Sequence, residues 1–227
     1  AFIETNARLQ VEHTVTEEVT GIDIVQAQIR IAEGATLAEL GLDQAIEPRG
    51  YAIQARVNME SIREDGSIRP STGTLSAYEV PSGPGVRTDG CGYGGYQTSM
   101  LFDSLLAKVI GHSPSTNFAD AITRTSRALS EFRIEGVETN IPLLQSILAD
   151  EDFATGNIDT RFVDQQMARL AAASTEHRSF ATPAGYDPSA NGDLEQDAGR
   201  AVGPLGSVGL VAPMQGTIVE ISVAIGD

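Results

Sequence analysis

The sequence predicts an α+β fold, and three observations carry that reading. Tyr51, Ile53, Ala55, Val57 and Met59 alternate with Ala52, Gln54, Arg56 and Asn58, the period of two that marks a half-buried strand. Residues 74–80, 86–89 and 105–110 read as further strands, separated by turn-forming runs such as Pro81-Ser-Gly-Pro-Gly85. Val15, Val19, Ile22, Val25, Ile29 and Ala32 recur at helical spacing instead, as do Phe118, Ile122, Leu129 and Phe132.

Taken from the start, Phe2 to His13 again reads as a strand. Glu4, Asn6, Arg8, Gln10 and Glu12 fall on one face, with Ile3, Ala7, Leu9 and Val11 on the other. Glu4 and Asn6, about 7 Å apart along a strand, can converge on one ion. Glu4 to Glu12 would span about 26 Å if straight, so the chain must bend after Arg8 for all five groups to surround one small substrate. A carboxylate and an amide oxygen suit magnesium or manganese. Arg8 offers a planar fork for an anion, and Glu12 is a candidate base. The same pattern also fits an edge strand bearing an Arg–Glu ladder.

Thr14 and Glu17 have the spacing of a capping box. Gly21 divides the following helical stretch in two and Gly34 ends it, giving a packed support. Residues 60–72, polar with Gly66 and Pro70, read as a loop. Arg87 stands at the first residues of a strand behind a turn, placed either to project into a cleft or to lie at the surface. Residues 90–96 contain Gly90, Gly92, Gly94 and Gly95 without a strand-to-helix context or a following Lys, so they read as a mobile loop and not as a phosphate cradle. Lys108 sits inside an apolar strand. A helix covers about 116–132; Asn140 caps another with Pro142 near its start, and Asp159 begins one running to Ala172. Residues 173–206 have the Ala, Ser, Gly, Asp and Pro composition of a flexible linker. Residues 207–227 return to apolar alternation, as a strand, a turn and a strand.

The net charge of −16 argues against nucleic acid or an anionic membrane as a partner, so any phosphate must be held locally. Cys91 is the single cysteine, which rules out an internal disulfide and fits a reducing, cytoplasmic setting. No apolar run approaches 18 residues. An upstream targeting segment stays open, since Ala1 does not look like a natural start.

Phe-Ile-Glu-x-Asn-x-Arg-Leu-Gln-Val-Glu-His-x-Val-Thr-Glu-x-x-Thr-Gly, from Phe2 to Gly21, resembles the active-site segment of the biotin carboxylase component of biotin-dependent carboxylases, an ATP-grasp family. The likeness continues through Gly50–Asn58, Gly85-Val86-Arg87, Phe102–Lys108 and Gly136–Asn140. It implies that residues 1–172 are the C-terminal part of that domain, an antiparallel-rich sheet with flanking helices. Residues 173–206 are then its linker. Ala212-Pro-Met-x-Gly-Thr-Ile-Val219 and Val223-x-x-Gly-Asp227 are similar to the start of a β-sandwich biotin carrier domain. A carrier bears biotin on a lysine in Met-Lys-Met, and no lysine follows Lys108.

The resemblance also implies roles. Glu4 and Asn6 match the positions that hold the divalent ions, Mg2+ or Mn2+, bridging the ATP phosphates. Arg8, Gln10, Val11 through its N–H, and Glu12 match the bicarbonate pocket, with Glu12 as the base. Arg87 matches the arginine that faces biotin and stabilises charge on its ureido oxygen. The reaction implied is carboxylation of carrier-bound biotin by ATP and bicarbonate through carboxyphosphate. The carrier is then a partner in cis, a carboxyltransferase domain or subunit a further partner, and a homo-oligomer the expected assembly. The nucleotide-covering lobe, its lid and one metal carboxylate are expected upstream of Ala1, so these 227 residues alone are expected to be inactive. A carrier so close behind the carboxylase looks like an acyl-CoA carboxylase, although Glu12 to Gly21 also resembles pyruvate carboxylases. A non-catalytic docking or dimerisation lobe is the reading from another class. Glu4, Asn6, Arg8, Glu12 and Arg87 together argue against it, since docking requires none of them.

Overall fold

A three-stranded antiparallel sheet with one apolar and one charged face carries the architecture. The computed structural model describes residues 5–63, 66–99 and 103–173. Glu4, nearly all of the expected linker and the carrier-like residues 207–227 therefore lie outside the described residues. In chain order the elements are α1 (His13–Thr20), α2 (Ile24–Ala32), β1 (Tyr51–Asn58), β2 (Glu60–Ile62), β3 (Ile68–Pro70), β4 (Ala77–Glu79) and β5 (Val86–Gly90). They continue as β6 (Leu105–Ser113), α3 (Phe118–Glu131), β7 (Arg133–Glu135), α4 (Ile141–Leu148), α5 (Glu151–Thr155) and α6 (Phe162–Ala173). The main sheet has the order β1-β6-β5, while β2 pairs with β3 and β4 with β7, every ladder antiparallel.

The alternation read in residues 51–59 is the alternation of burial. Ala55 and Val57 of β1 and Ala107 and Val109 of β6 point to one side, where they pack with Ala128, Leu129 and Phe132 and with Ile141 and Leu148 of α4. Burying each large aliphatic or aromatic side chain there contributes about 1.5–3 kcal/mol. Gly111 lets α3 approach closely, because a Cβ on it would overlap Thr125 Oγ1. Two smaller clusters flank this core: Met59, Leu75 and Leu106, and Leu143, Phe162 and Leu170.

The opposite face of the same sheet is polar, and register fixes its rows. Arg56, Lys108 and Asp89 stand opposite one another across the three strands, and Gln54, Ile110 and Arg87 form the next row. α1 covers this face with an unusual buried pair, Thr14 and Glu17. Its apolar residues are only partly covered.

Several expectations are corrected. Residues 5–12 form no strand: the chain bends at Ala7 and Arg8 and turns at Val11 and Glu12. A strand persists only within a ladder, and no described strand pairs with these residues. The anticipated capping box does not form, since α1 begins at His13 without a side-chain cap. Thr14 Oγ1 donates to Gln54 Oε1 at 2.5 Å, and Glu17 accepts from Ile24 N and from Arg87, so distant partners have taken both side chains. The stripe on α2 is not a packed support: that helix buries no residue, and Val25, Ile29 and Ile31 are exposed. The loop at 60–72 contains the β2–β3 hairpin, with Gly66 at φ 81° near its turn. The strand expected over 74–80 is confined to Ala77–Glu79, and β7 and α5 were not anticipated. Asn140 precedes α4 but gives it no side-chain cap. Gly21, at φ 73°, does end α1 in the left-handed conformation that glycine adopts without strain.

Candidate active site

The turn at Val11 and Glu12 delivers α1 onto the polar face of the sheet, and the site is built where they meet. Glu12 Oε2 lies 2.9 Å from Arg56 Nη2, both side chains half exposed at 55% and 50%. The Val11 carbonyl accepts from Lys108 Nζ at 3.3 Å. The Gln10 carbonyl accepts from His13 N at 3.2 Å and from His13 Nδ1 at 2.7 Å. A carbonyl can only accept, so Nδ1 carries the ring proton there.

Behind this turn the charges form a continuous series. Arg87 meets Asp89 through two bonds, Nε to Oδ1 at 2.9 Å and Nη2 to Oδ2 at 3.0 Å, and donates from Nη1 to Glu17 Oε2 at 2.7 Å. Glu18 Oε1 stands 3.6 Å from the same Nη1. Asp89 Oδ2 is 3.3 Å from Lys108 Nζ, and Glu17 Oε2 is 3.9 Å from His13 Nε2. Partial burial pushes the Asp89 carboxyl up, but the Arg87 and Lys108 cations outweigh this and hold it below its ordinary range. The hydrogen bonds to Asp89, and after a smaller burial penalty those to Glu17, hold Arg87 as a permanent cation.

Of the residues singled out in the sequence, the fold brings Val11, Glu12 and Arg87 onto one face. Glu12 and Arg87 do not meet: the guanidinium at the Glu12 carboxylate is that of Arg56, and Arg87 is committed to carboxylates further along. Arg8 is exposed and donates to the Leu9 carbonyl at 3.2 Å. Asn6 is exposed, and Gln10 is half-buried. Among the described residues no group of three or more His, Cys, Asp and Glu side chains is gathered for a metal. Arg56, Lys108, Asp89 and Glu17 are not among the site residues the sequence singles out. The polar positions of 51–59 and the lone charge within Leu105-Leu-Ala-Lys-Val-Ile110 are the signals that could have found the first two.

Residues 54–165 match the family described as Biotin carboxylase C-terminal domain, and residues 1–40 match Carbamoyl-phosphate synthase L chain, ATP binding domain. The chain is 47% identical over 180 residues to the mitochondrial pyruvate carboxylase of Mus musculus, covering 78% of this chain and 15% of that protein. A single-chain, multi-domain long-chain acyl-CoA carboxylase is similar at 44% identity and a TM-score of 0.73, over 80% of this chain and 20% of that one. The biotin carboxylase domain dimer of the Hydrogenobacter thermophilus 2-oxoglutarate carboxylase, in complex with MgADP, ADP and bicarbonate, is similar at 38% identity and a TM-score of 0.67. That match covers 80% of this chain and 37% of the other. The chain thus spans only a small part of its relatives' length. The sheet, the motif from Asn6 to Gly21 and these matches agree: the chain belongs to the biotin-dependent carboxylases, as the C-terminal part of their biotin carboxylase component.

Proposed function

We propose that this chain is the bicarbonate-facing part of a biotin carboxylase, working within a longer polypeptide that uses ATP and bicarbonate to carboxylate carrier-bound biotin through carboxyphosphate. The observation that carries the reading is Glu12 paired with Arg56 of β1 beside the Val11 turn, a candidate base and a cation brought together at one turn of chain. Two arginines and an amide are the donors a small oxyanion requires. Glu12 takes the bicarbonate proton, the kind of step that contributes about 10²- to 10⁴-fold. Arg8 and the Val11 N–H hold the anion.

The Glu12–Arg56 pair is exposed, so it is worth at most about 1 kcal/mol and an entering anion separates it at little cost. Arg56, released from Glu12, then stabilises the negative charge that develops on the acceptor. We assign this role to Arg56 in place of Arg87, whose three nitrogens are held by Asp89 and Glu17. Glu4 and Asn6 offer hard oxygen atoms two residues apart, a donor set that fits Mg2+ or Mn2+. A divalent ion held there would offset the charge of the nucleotide phosphates, and biotin on its carrier supplies the nitrogen that accepts the carboxyl group.

An acyl-CoA is the acceptor we favour, because carrier-like sequence begins at residue 207, directly after the linker that follows the carboxylase part. Pyruvate is the second reading, supported by the identity to a pyruvate carboxylase. A carrier in cis, a carboxyltransferase and a second copy of the chain are the partners proposed; the dimeric domain of the bicarbonate-bound relative supports the last. The cytoplasm is the compartment proposed from cysteine usage, and no described helix is long and apolar enough to cross a membrane. The test is bicarbonate-dependent ATP cleavage by the full-length protein with free biotin. An unchanged rate in folded, ATP-binding Glu12→Ala protein would sink the mechanism, and a panel of acyl-CoAs and pyruvate decides the acceptor.

A further inference from the structure

We infer that His13 and Lys108 are positioning residues which together orient the Val11 amide toward the oxyanion, an inference that rests on the bicarbonate reading of this site. A trans peptide is planar, with its C=O and N–H pointing in opposite directions. The Gln10 carbonyl is pinned by the backbone and ring of His13, so the Val11 N–H of the same peptide plane faces away from α1. The next plane is pinned in turn, because the Val11 carbonyl is held by Lys108. Both planes flanking Val11 are thereby fixed through their carbonyls. Among the described residues no acceptor takes the Val11 N–H.

The two pins are the ends of one series of polar side chains. From His13 it runs through Glu17, Arg87 and Asp89 to Lys108, with separations of 3.9, 2.7, 2.9 and 3.3 Å. Together with the two carbonyls, it closes a ring around the turn. The ends of the series and Glu17 are withdrawn from solvent, with side chains 14% exposed at His13, 12% at Lys108 and 9% at Glu17, while Arg87 and Asp89 between them are half-buried. A solvated ladder would not look like this. Lys108 is the single lysine of the chain and its side chain is only 12% exposed, where an ammonium group is costly unless its donors are used. Its compact head touches a carboxylate and a carbonyl at once. A plain staple between α1 and the sheet would need the Asp89 contact or the Glu17 contact, but not the two carbonyls on either side of Val11.

The experiment uses the full-length protein with Lys108→Met, which removes the donor, and Lys108→Arg, which restores one. His13→Phe removes the other pin. The readouts are KM for bicarbonate and for ATP, kcat, and the dissociation constant of ¹³C-bicarbonate followed by NMR. Loss of one hydrogen bond predicts about a tenfold rise in bicarbonate KM and dissociation constant for Lys108→Met and His13→Phe. KM for ATP should stay within about twofold, the signature of lost binding to one substrate. Lys108→Arg should recover most of the affinity. Wild-type bicarbonate affinity in folded Lys108→Met overturns the inference, as does an equal rise in KM for ATP. If Lys108→Met fails to fold, Asp89→Asn releases the lysine without removing it and is held to the same criteria. Glu12→Gln is measured alongside. If it keeps the bicarbonate-dependent rate, the function itself is wrong; if it loses that rate while Lys108→Met binds bicarbonate normally, only the positioning role is wrong.

Discussion

The side-chain amide of Asn140 donates to the Arg56 carbonyl at 3.0 Å. The same side chain accepts from Asn58 N at 2.8 Å, and Asn140 N donates to Asn58 O at 3.1 Å. β1 is an edge strand of its sheet, and its register to β6 shifts between Val57 and Asn58. One asparagine thus supplies the bonds a neighbouring strand would have made, at the residue whose side chain reaches Glu12.

Asn140→Ala should therefore destabilise the fold by about 2–3 kcal/mol, because it leaves an N–H and a C=O of β1 unpaired in a part-buried setting. Asn140→Asp keeps the acceptor for Asn58 N and loses the donor to Arg56, so it should fall between. Denaturant unfolding of the full-length protein measures both.

Glu12→Gln separates chemistry from stability. The exposed ion pair it breaks contributes about 0–1 kcal/mol, so the melting temperature should barely move. Bicarbonate-dependent ATP cleavage should fall by at least about 100-fold as the base is lost. A mutant with near wild-type turnover would remove Glu12 from the mechanism.

Arg87→Met should behave in the opposite way. It leaves the Glu17 carboxylate, nearly buried, without its closest cation, which costs about 3 kcal/mol. Adding Glu17→Gln should recover part of that loss, because the stranded charge is removed with its partner. A double-mutant cycle in denaturant reads the coupling. Independent, additive losses would show that the pair is not energetically linked.

Asp89 gives the fold a pH dependence of known sign. Its carboxyl is held below the ordinary 3.8, so its contribution is present above that value and is lost as pH falls through the depressed one. The stability gap between wild type and Asp89→Asn should be widest above about pH 5 and close in acid, where both side chains are neutral. Thermal melts across that range test it; a gap that persists in acid would mean the aspartate acts through something other than charge.

Local signals hold at β1 and Gly21, where one element carries them, and fail where a partner lies far along the chain. β1 was legible because one face packs and the other does not, which writes a period of two into residues 51–59. The break at Gly21 was legible because a left-handed residue ends a helix wherever it stands. Thr14 and Glu17 misled because their partners, Gln54 and Arg87, lie 40 and 70 residues away, and tertiary bonds outcompeted the cap. β2 and β3 were missed because neither strand buries a face, so no apolar alternation marks them. The charged rows were hidden for a related reason: Lys108 looks like an intruder in an apolar strand until register sets it between Arg56 and Asp89. Arg87 takes its biotin role from the resemblance, and its place behind a turn, a local feature, does not reveal which carboxylates surround it.

The two faces of the main sheet also differ in what holds their covering helices. α3 is seated by apolar contact, whereas α1 is seated by Thr14 and Glu17 on a field of charge. Raising ionic strength screens the exposed Glu12–Arg56 pair and leaves apolar contact intact or stronger, while the nearly buried Glu17 contact is screened much less. Added salt therefore acts first on the Glu12 carboxylate and its guanidinium, and α1 stays seated on the sheet while that pair opens.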